Sequence, residues 1–431
     1  MFRITHKDKK TKARLGVLST PHGKVLTPSY VFVGTYGRFL HLAPRDIKKT
    51  KTQLVIANTF HLWDTVLLSP ASGKTFLTKR LGLNIPTMTD SGGFQVLSLA
   101  FGPVVDARAT SLNKKLGHHY GVRRHGIGKF IGDNIKSDKD YKRKNIRITN
   151  KGVYFKWDGK IRFLGPELSM KLQSKIGADI IFAFDQITSP LDDYEYNRKA
   201  VELTNAWALR CLKAHARQLR RLDNKSRVGA PTEASGVGKK QLLFGIVQGG
   251  LFKDLRIKSA KSIGAMPFDG FGIGGSYTKK QISKMLKWVV PYLPEEKPRH
   301  LLGVGKVVDI FEAVQNGVDT FDCVIPTREA RHGRLYTKTG HMDIRRGAYL
   351  KDKKVIEKNC GCPTCSSKMP RSKIRELIKS ENIKQNAAGQ RWCLMHNMWF
   401  FNNLLEEIRK SISRGKFKEF KNSFIKKFES K

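Results

Sequence analysis

Short apolar or β-branched runs alternate along most of this chain with longer stretches of helical period. Gln53-Leu54-Val55-Ile56-Ala57-Asn58, Asp179-Ile180-Ile181-Phe182-Ala183-Phe184-Asp185, Leu242-Leu243-Phe244-Gly245-Ile246-Val247-Gln248, Phe271-Gly272-Ile273-Gly274-Gly275, His300-Leu301-Leu302-Gly303-Val304-Gly305 and Thr320-Phe321-Asp322-Cys323-Val324 are near-continuous apolar runs. That is the expectation for strands buried on both faces of a parallel sheet. Each ends in a polar residue or in glycines. Between them, Tyr194 to Arg220, Lys279 to Tyr292 and Val307 to Asn316 carry helical spacing, so the pattern predicts repeated βα units. A (β/α)8 TIM barrel fits this α/β pattern best, with functional residues projecting from the C-terminal strand ends, where Asp90, Asp185, Gln248, Gly275 and Asp322 fall. A doubly wound open sheet satisfies the same periodicity, which cannot count strands or close a barrel.

Two segments interrupt the pattern. From about 101 to 149 the chain is rich in Lys, Arg, His and Gly, with His118-His119-Tyr120, Arg123-Arg124-His125 and Lys142-Arg143-Lys144. This basic insertion reads either as an extra RNA-contacting flap or as a solvated loop. The His pair has no thiol or carboxylate at ligand spacing and is not taken as a second metal site. Residues 222 to 240 form another loop, with Gly229-Ala230-Pro231 and Ser235-Gly236. The predicted organisation is a barrel over 1–350, a zinc-binding subdomain over 351–405 and a basic tail over 406–431, in which Phe417-Lys418-Glu419-Phe420-Lys421 suggests an amphipathic helix.

Composition then narrows the partners. A chain of 431 residues with 40% apolar content is long enough for a large core. Its 81 Lys and Arg against 36 Asp and Glu, a net charge of +45, draw it towards polyanions, and nucleic acid is the first to consider. A generally lysine-rich proteome gives the same bias. Met1-Phe2-Arg3-Ile4-Thr5-His6-Lys7 has no apolar core of a signal peptide, and no run is long enough to span a membrane. A cytoplasmic protein with no membrane partner is expected.

Cys360-Gly361-Cys362-Pro363-Thr364-Cys365, followed by His396 in Trp392-Cys393-Leu394-Met395-His396, is the sharpest local motif. Three thiols and an imidazole suit one tetrahedral Zn²⁺, and in a reducing compartment clustered cysteines favour metal over disulfide. Cys393 is an alternative fourth ligand. A closed site of four protein ligands leaves no position for substrate, so this metal is expected to brace the fold. Cys211 and Cys323 read as buried reduced thiols.

The chemistry is expected in two acid strings. Thr89-Asp90-Ser91-Gly92-Gly93-Phe94-Gln95-Val96 sets a carboxylate before two glycines, which permit a flat ligand to approach the main chain and also make good turn chemistry. Phe321-Asp322-Cys323-Val324 places an acid inside an apolar strand, a costly position unless it works or pairs with an arginine such as Arg328 or Arg331. Two carboxylates at one barrel mouth, one a nucleophile and one a proton carrier, are equipment for displacement at a sugar's anomeric carbon.

These strings, with Ala183-Phe184-Asp185, Gly245-Ile246-Val247-Gln248-Gly249-Gly250, Gly274-Gly275, Gly303-Val304-Gly305, Phe321 to Arg328 and the zinc quartet in this order, resemble the tRNA-guanine transglycosylase (queuine tRNA-ribosyltransferase) family in its bacterial-like catalytic type. The likeness runs from near the N-terminus to about Leu405. It implies a pentosyltransferase of queuosine tRNA modification that exchanges guanine at the anticodon wobble position of tRNAs with G-U-N anticodons for a 7-substituted 7-deazaguanine free base, 7-aminomethyl-7-deazaguanine or queuine. By the resemblance Asp322 is the nucleophile that forms a ribosyl-aspartate intermediate and Asp90 the general acid/base. Asp185, Gln248 and Gly275 bind the guanine edge, Phe94 and Leu302 sandwich its ring, and Arg328 and Arg331 hold flanking phosphates. Cys360, Cys362, Cys365 and His396 hold one structural Zn²⁺ per subunit, and a homodimer is implied.

Several positions depart from the bacterial pattern. Gln186 and Ile187 stand where Glu and Cys are usual, Ser276-Tyr277-Thr278 follows Gly275, and Lys280 replaces an acid. These changes are expected to disfavour an aminomethyl cation and to let queuine or another base compete. The short stretch after the zinc motif argues against the archaeal type. A non-catalytic, zinc-braced RNA-binding subunit of the same family is the alternative, but such a protein is expected to lose one of the two acids. A barrel glycosidase is expected to line its site with tryptophans, and none of the six Trp adjoins the acid strings.

Overall fold

A computed structural model describes residues 1–69, 76–100, 146–189, 192–228, 240–275 and 281–430. Its centre is a closed barrel of eight parallel strands: β1 (Ser29–Val33), β2 (Val55–Ala57), β3 (Thr87–Thr89), β4 (Ile180–Phe182), β5 (Leu242–Val247), β6 (Gly270–Ile273), β7 (Arg299–Leu301) and β8 (Thr320–Asp322). Each strand pairs with the next in sequence, and β8 returns to β1 with Asp322 opposite Val31. The open-sheet alternative is thereby excluded. All six strands anticipated from apolar runs are barrel strands. The residues of β2 to β6 are buried throughout, which is why those stretches show no alternation. Strand β1, Ser-Tyr-Val-Phe-Val, was not anticipated although four of its five residues are buried.

Two layers of core result. Val31, Ile56, Met88, Ile180, Phe182, Phe244 and Ile246 form one cluster with Leu18 and Val25. Those two come from an antiparallel sheet, Phe2–Lys7, Arg14–Thr20 and Gly23–Thr27, which the apolar runs did not reveal and which closes the N-terminal end of the barrel. The larger cluster lies between strands and helices. Helix Pro166–Ile176 illustrates how local sequence sets an element, with Pro166 in its first turn and Gly177 at φ 74° ending it in the left-handed conformation. Helices Tyr194–Val228, Ile282–Val289 and Val307–Gln315 occupy the three stretches of helical spacing.

Most of the basic insertion, the core of the second loop and Ser276 to Lys280 lie outside the described residues. The end of the supposed insertion is regular: Ile146–Thr149 pairs with Gly152–Trp157, which pairs with Lys160–Leu164. Trp157 meets Phe60 edge-on at 5.0 Å, tying this sheet to the barrel's helices.

A third apolar cluster, with Leu335, Ile344, Ile356, Ile374, Ile378 and Leu394, surrounds the cysteines near the C-terminus. The 31-residue helix Ile383–Ser413 leaves it and enters the main core through Met398, Phe401, Leu404, Leu405 and Ile408. Arg391 on this helix pairs with the buried Asp46 at 2.5 Å, and Asn402 donates to the Thr50 carbonyl at 2.7 Å. The zinc-motif cluster and the barrel therefore share one rigid element. The final helix, Phe417–Glu429, is amphipathic and stacks Phe417, Phe420 and Phe424 around Phe311. Among the described residues, no helix is long and apolar enough to cross a membrane.

Candidate active site

Strand register carries the predicted site residues to one end of the barrel. Asp90 follows β3, Asp185 lies three residues beyond β4, Gln248 follows β5, Gly275 lies two beyond β6, Leu302 follows β7 and Asp322 ends β8. This is the C-terminal face, where a parallel barrel presents side chains from many strands to one ligand.

Asp90 is held by the start of helix Thr59–Leu68. The Asn58 amide accepts from the His61 N–H at 3.0 Å as the helix cap while its Nδ2 donates to Asp90 Oδ2 at 2.6 Å. The Thr59 and Gly92 N–H groups donate to Asp90 Oδ1 at 3.0 and 3.1 Å. Burial nevertheless dominates, and with the negative charge of Asp322 nearby it raises the Asp90 carboxyl to about 7 against these donors. A carboxyl of this kind both gives and takes a proton near neutral pH.

Asp185 is buried and accepts from Gln248 Nε2 at 2.6 Å and from the Ser91 hydroxyl at 3.3 Å. Burial pushes it up to about 6, with both hydrogen bonds opposing. Gln248 Oε1 is buried without a partner among the described residues. Gly275, at φ 90°, comes so close to Gln248 Oε1 and the Arg256 guanidinium that a Cβ there would lie 2.7 and 2.8 Å from them. Arg256, fully buried, donates to the carbonyls of Gly250 and Gly274 at 2.8 and 2.6 Å and so joins the loops after β5 and β6. Leu302 is half-buried beside Gly274, and Phe94 is 42% exposed on the first turn of helix Gly93–Ala100.

Among the described residues, Asp322 pairs with no arginine. His300 Nε2 lies 3.0 Å from its Oδ1, and the Gly303 N–H donates to the same oxygen at 3.2 Å. Arg328 and Arg331 stand on the helix immediately after β8, Ile325–Arg331, the first exposed and the second half-buried. Neither has a carboxylate partner among the described residues, and burial together with the neighbouring Arg328 charge pulls Arg331 down from the usual guanidinium range. Two unneutralised cations next to Asp322 are suited to an anionic ligand.

Asn58, Thr59, Ser91, Arg256, His300 and Gly303 were not singled out from sequence. The buried polar His300 in an apolar strand carried the same signal that marked Asp322.

The donor atoms of Cys360, Cys362, Cys365 and His396 lie within 4.8 Å of one another. His396 Nε2 is 2.7 Å from the Tyr336 carbonyl, which leaves Nδ1 to face Cys362 Sγ at 3.2 Å and Cys365 Sγ at 3.8 Å. A ligand imidazole fixed through its other nitrogen is the usual outer arrangement of a metal site. Three sulfurs and one nitrogen can hold one metal ion and are compatible with zinc. Cys393, buried on the same helix, belongs to the small core and stands outside this quartet, so His396 is the fourth member.

The family model described as Queuine tRNA-ribosyltransferase matches residues 8–138 and 107–430. Curated relatives are similar from end to end. A queuine tRNA-ribosyltransferase of Halothermothrix orenii is 34% identical over 438 residues, covering 100% of this chain and 98% of its own. One of Desulforamulus reducens is 35% identical over 437 residues, with 100% and 99% covered. One of Clostridium perfringens is 36% identical over 429 residues, with 97% and 96% covered. The barrel, the acids at its mouth and the metal-ligand quartet thus coincide with full-length similarity, and the chain belongs to the queuine tRNA-ribosyltransferase family of pentosyl-transferring enzymes.

Proposed function

We propose that this protein replaces guanine at the wobble position of tRNAs with G-U-N anticodons by a 7-substituted 7-deazaguanine, through a ribosyl ester on Asp322. The observation that carries the reading is that the barrel brings two acids to one mouth, Asp90 just after β3 and Asp322 at the end of β8, near enough for the Asp322 charge to add to the burial that raises Asp90 to about 7. One acid is thereby suited to move protons and the other to attack.

In the first half, a lone pair of Asp322 forms a bond to C1′ as the C1′–N9 bond breaks, its electron pair leaving on guanine. Protonated Asp90 supplies the proton that neutralises the departing base. In the second half, the ionised Asp90 takes the N9 proton of the incoming base, N9 bonds to C1′, and the C1′–oxygen bond breaks to restore the Asp322 carboxylate. Loop RNA is a sensible substrate because an unpaired base leaves its stack at little cost.

Before a base arrives, Gln248 Nε2 occupies Asp185. A guanine edge supplies its own donors to that carboxylate, freeing the Gln248 amide and the Gly275 N–H to meet the base carbonyl. Phe94 and Leu302 flank the ring, and Arg328 and Arg331 meet the neighbouring phosphates. Gln186 donates to the Ile187 carbonyl and the Tyr196 hydroxyl, both at 3.1 Å, and offers no carboxylate to an aminomethyl group. Queuine is therefore expected to compete with 7-aminomethyl-7-deazaguanine, and kcat/KM for the two bases measured side by side decides it; strong preference for the aminomethyl base contradicts the expectation.

The working unit is a cytoplasmic homodimer, with the barrel over 1–350 and a zinc-binding subdomain over 351–405. Cys360, Cys362, Cys365 and His396 would hold Zn²⁺, which supplies folding energy and no step of the reaction. Cys362→Ala is expected to lose zinc and to unfold or monomerise the C-terminal part; full zinc content and retained dimerisation would refute the assignment.

Incorporation of labelled guanine into an anticodon-loop RNA carrying U-G-U tests the reading as a whole. Exchange by the wild type that falls at least about 10³-fold in Asp322→Ala supports it. Salt-sensitive RNA binding without exchange would instead favour a non-catalytic RNA-binding subunit.

A further inference from the structure

His300 is the middle residue of β7 and is fully buried, its ring 5.2 Å from that of Phe182. It is in register with Thr320 on the adjacent β8, and Asp322 lies two residues farther along that strand. Side chains two apart on a strand share a face, and the imidazole bridges this pair. Nδ1 is 2.9 Å from Thr320 Oγ1 and Nε2 is 3.0 Å from Asp322 Oδ1. The Gly303 N–H converges on that same oxygen at 3.2 Å. Among the described residues, none donates to Oδ2.

The asymmetry has a chemical consequence. A neutral imidazole has one N–H and one bare nitrogen. The ionised carboxylate only accepts, so the proton belongs on Nε2, and Nδ1 accepts from the Thr320 hydroxyl, whose hydrogen can turn towards it. Two donors then fix the carboxylate plane through Oδ1 and draw charge onto it, while the lone pairs of Oδ2 stay open.

We propose that His300 is a positioning residue that makes Oδ2 of Asp322 the attacking atom, with Thr320 setting the imidazole tautomer. This rests on the reading of Asp322 as nucleophile. Oδ2 forms the bond to C1′ as the C1′–N9 pair leaves with guanine. Oδ1 becomes the carbonyl oxygen of the ester and keeps both hydrogen bonds. In the return step the C1′–Oδ2 pair goes back to Oδ2. No proton passes to or from His300, so its contribution is preorganisation of the nucleophile and of its release.

The test uses full-length protein and the single-turnover rate at which a covalent RNA–protein adduct forms, alongside KM for RNA and for guanine. His300→Phe keeps a ring without a donor, whereas His300→Gln restores an N–H near the position of Nε2. The phenylalanine variant is expected to form the adduct about 30-fold more slowly, as for loss of one hydrogen bond to a charged group, and the glutamine variant to recover to within about 5-fold of wild type. Both KM values should stay within about twofold of wild type, since neither substrate touches His300.

Adduct formation by His300→Phe at the wild-type rate overturns the proposal, and so does an equal slowing in both variants, which would mark His300 as packing alone. Should the phenylalanine variant not fold, Thr320→Val carries the test, with about threefold slower adduct formation expected and an unchanged rate contradicting it. If the wild type forms no adduct, the nucleophile reading fails and this proposal with it. An adduct in the wild type with no dependence on His300 removes this proposal alone.

Discussion

Both ends of the barrel bury aspartates, and the two ends treat them differently. At the N-terminal end Asp319 receives Arg14 through Nε at 2.9 Å and Nη2 at 2.5 Å and the Arg299 N–H at 2.8 Å. Asp179 there receives the His22 N–H and the Thr87 N–H at 3.1 and 2.8 Å, with the Thr87 hydroxyl and the His22 ring also in reach. At the C-terminal mouth Asp90 and Asp185 have, among the described residues, only neutral donors, amides, backbone N–H groups and a hydroxyl, and burial raises them to about 7 and about 6. The arginines at that end, Arg328 and Arg331, have no carboxylate among the described residues. One end ties its aspartates to the chain's own donors and closes the barrel. The other keeps acids and cations apart, which leaves each available to a ligand.

Apart from loss of Asp322 itself, removing Asp90, the proposed proton carrier at the mouth, should have the largest effect. Asp90→Asn is expected to lower guanine exchange by about 10² to 10⁴-fold. In the proposed mechanism one carboxyl gives a proton in the first half and takes one in the second, so wild-type exchange should be greatest near pH 7. An exchange rate in Asp90→Asn within tenfold of wild type, or a flat profile between pH 5 and 9, would break the comparison.

Arg14→Ala probes the other end. It strands a buried Asp319 carboxylate and should cost about 3–5 kcal/mol of stability in denaturant unfolding. Exchange per folded molecule should be unchanged, because the proposed site lies at the opposite end of the barrel. A loss of activity larger than the loss of folded protein would show the two ends to be coupled.

A smaller effect sharpens the contrast. A carboxyl whose folded value lies near 7, against about 4 when unfolded, keeps one more proton in the folded state between those values. Its contribution to stability is present below about 4 and is lost as pH rises through about 7. Asp90→Asn removes that loss. At pH 8 its thermal midpoint should exceed that of the wild type by about 2 °C, a gain in stability bought with activity. Equal midpoints at pH 8 would mean that Asp90 is not strained by its burial.

Much of this arrangement was legible in the chain. Buried strands declare themselves by continuous apolar runs, and the polar residues or glycines that end those runs mark the barrel mouth. The Cys3His quartet was legible because three of its members lie within six residues, and only the fourth was open, since Cys393 and His396 are three apart on one helix. Strand β1 escaped because it is a five-residue run directly after the capping sheet, and the helix that follows it, Pro44–Lys49, is only six residues long. The supports of the acids escaped for a different reason. His300 and Asn58 stand 22 and 32 residues from the carboxylates they hold, and only closure of the barrel brings them together. The weakened acidity of Asp90 is likewise a property of burial and of the nearby Asp322 charge, neither of which is local.

The central claim is that Asp322 bonds to the ribose, and the most direct measurement is to capture that bond. Wild-type protein and the U-G-U anticodon-loop RNA are mixed without free base, quenched in denaturant, and the adducted peptide is mapped by mass spectrometry. The account predicts an adduct on Asp322 that disappears on adding guanine and never forms in Asp322→Ala. An adduct on another residue, or exchange by the wild type with no covalent species under any quench, would contradict it.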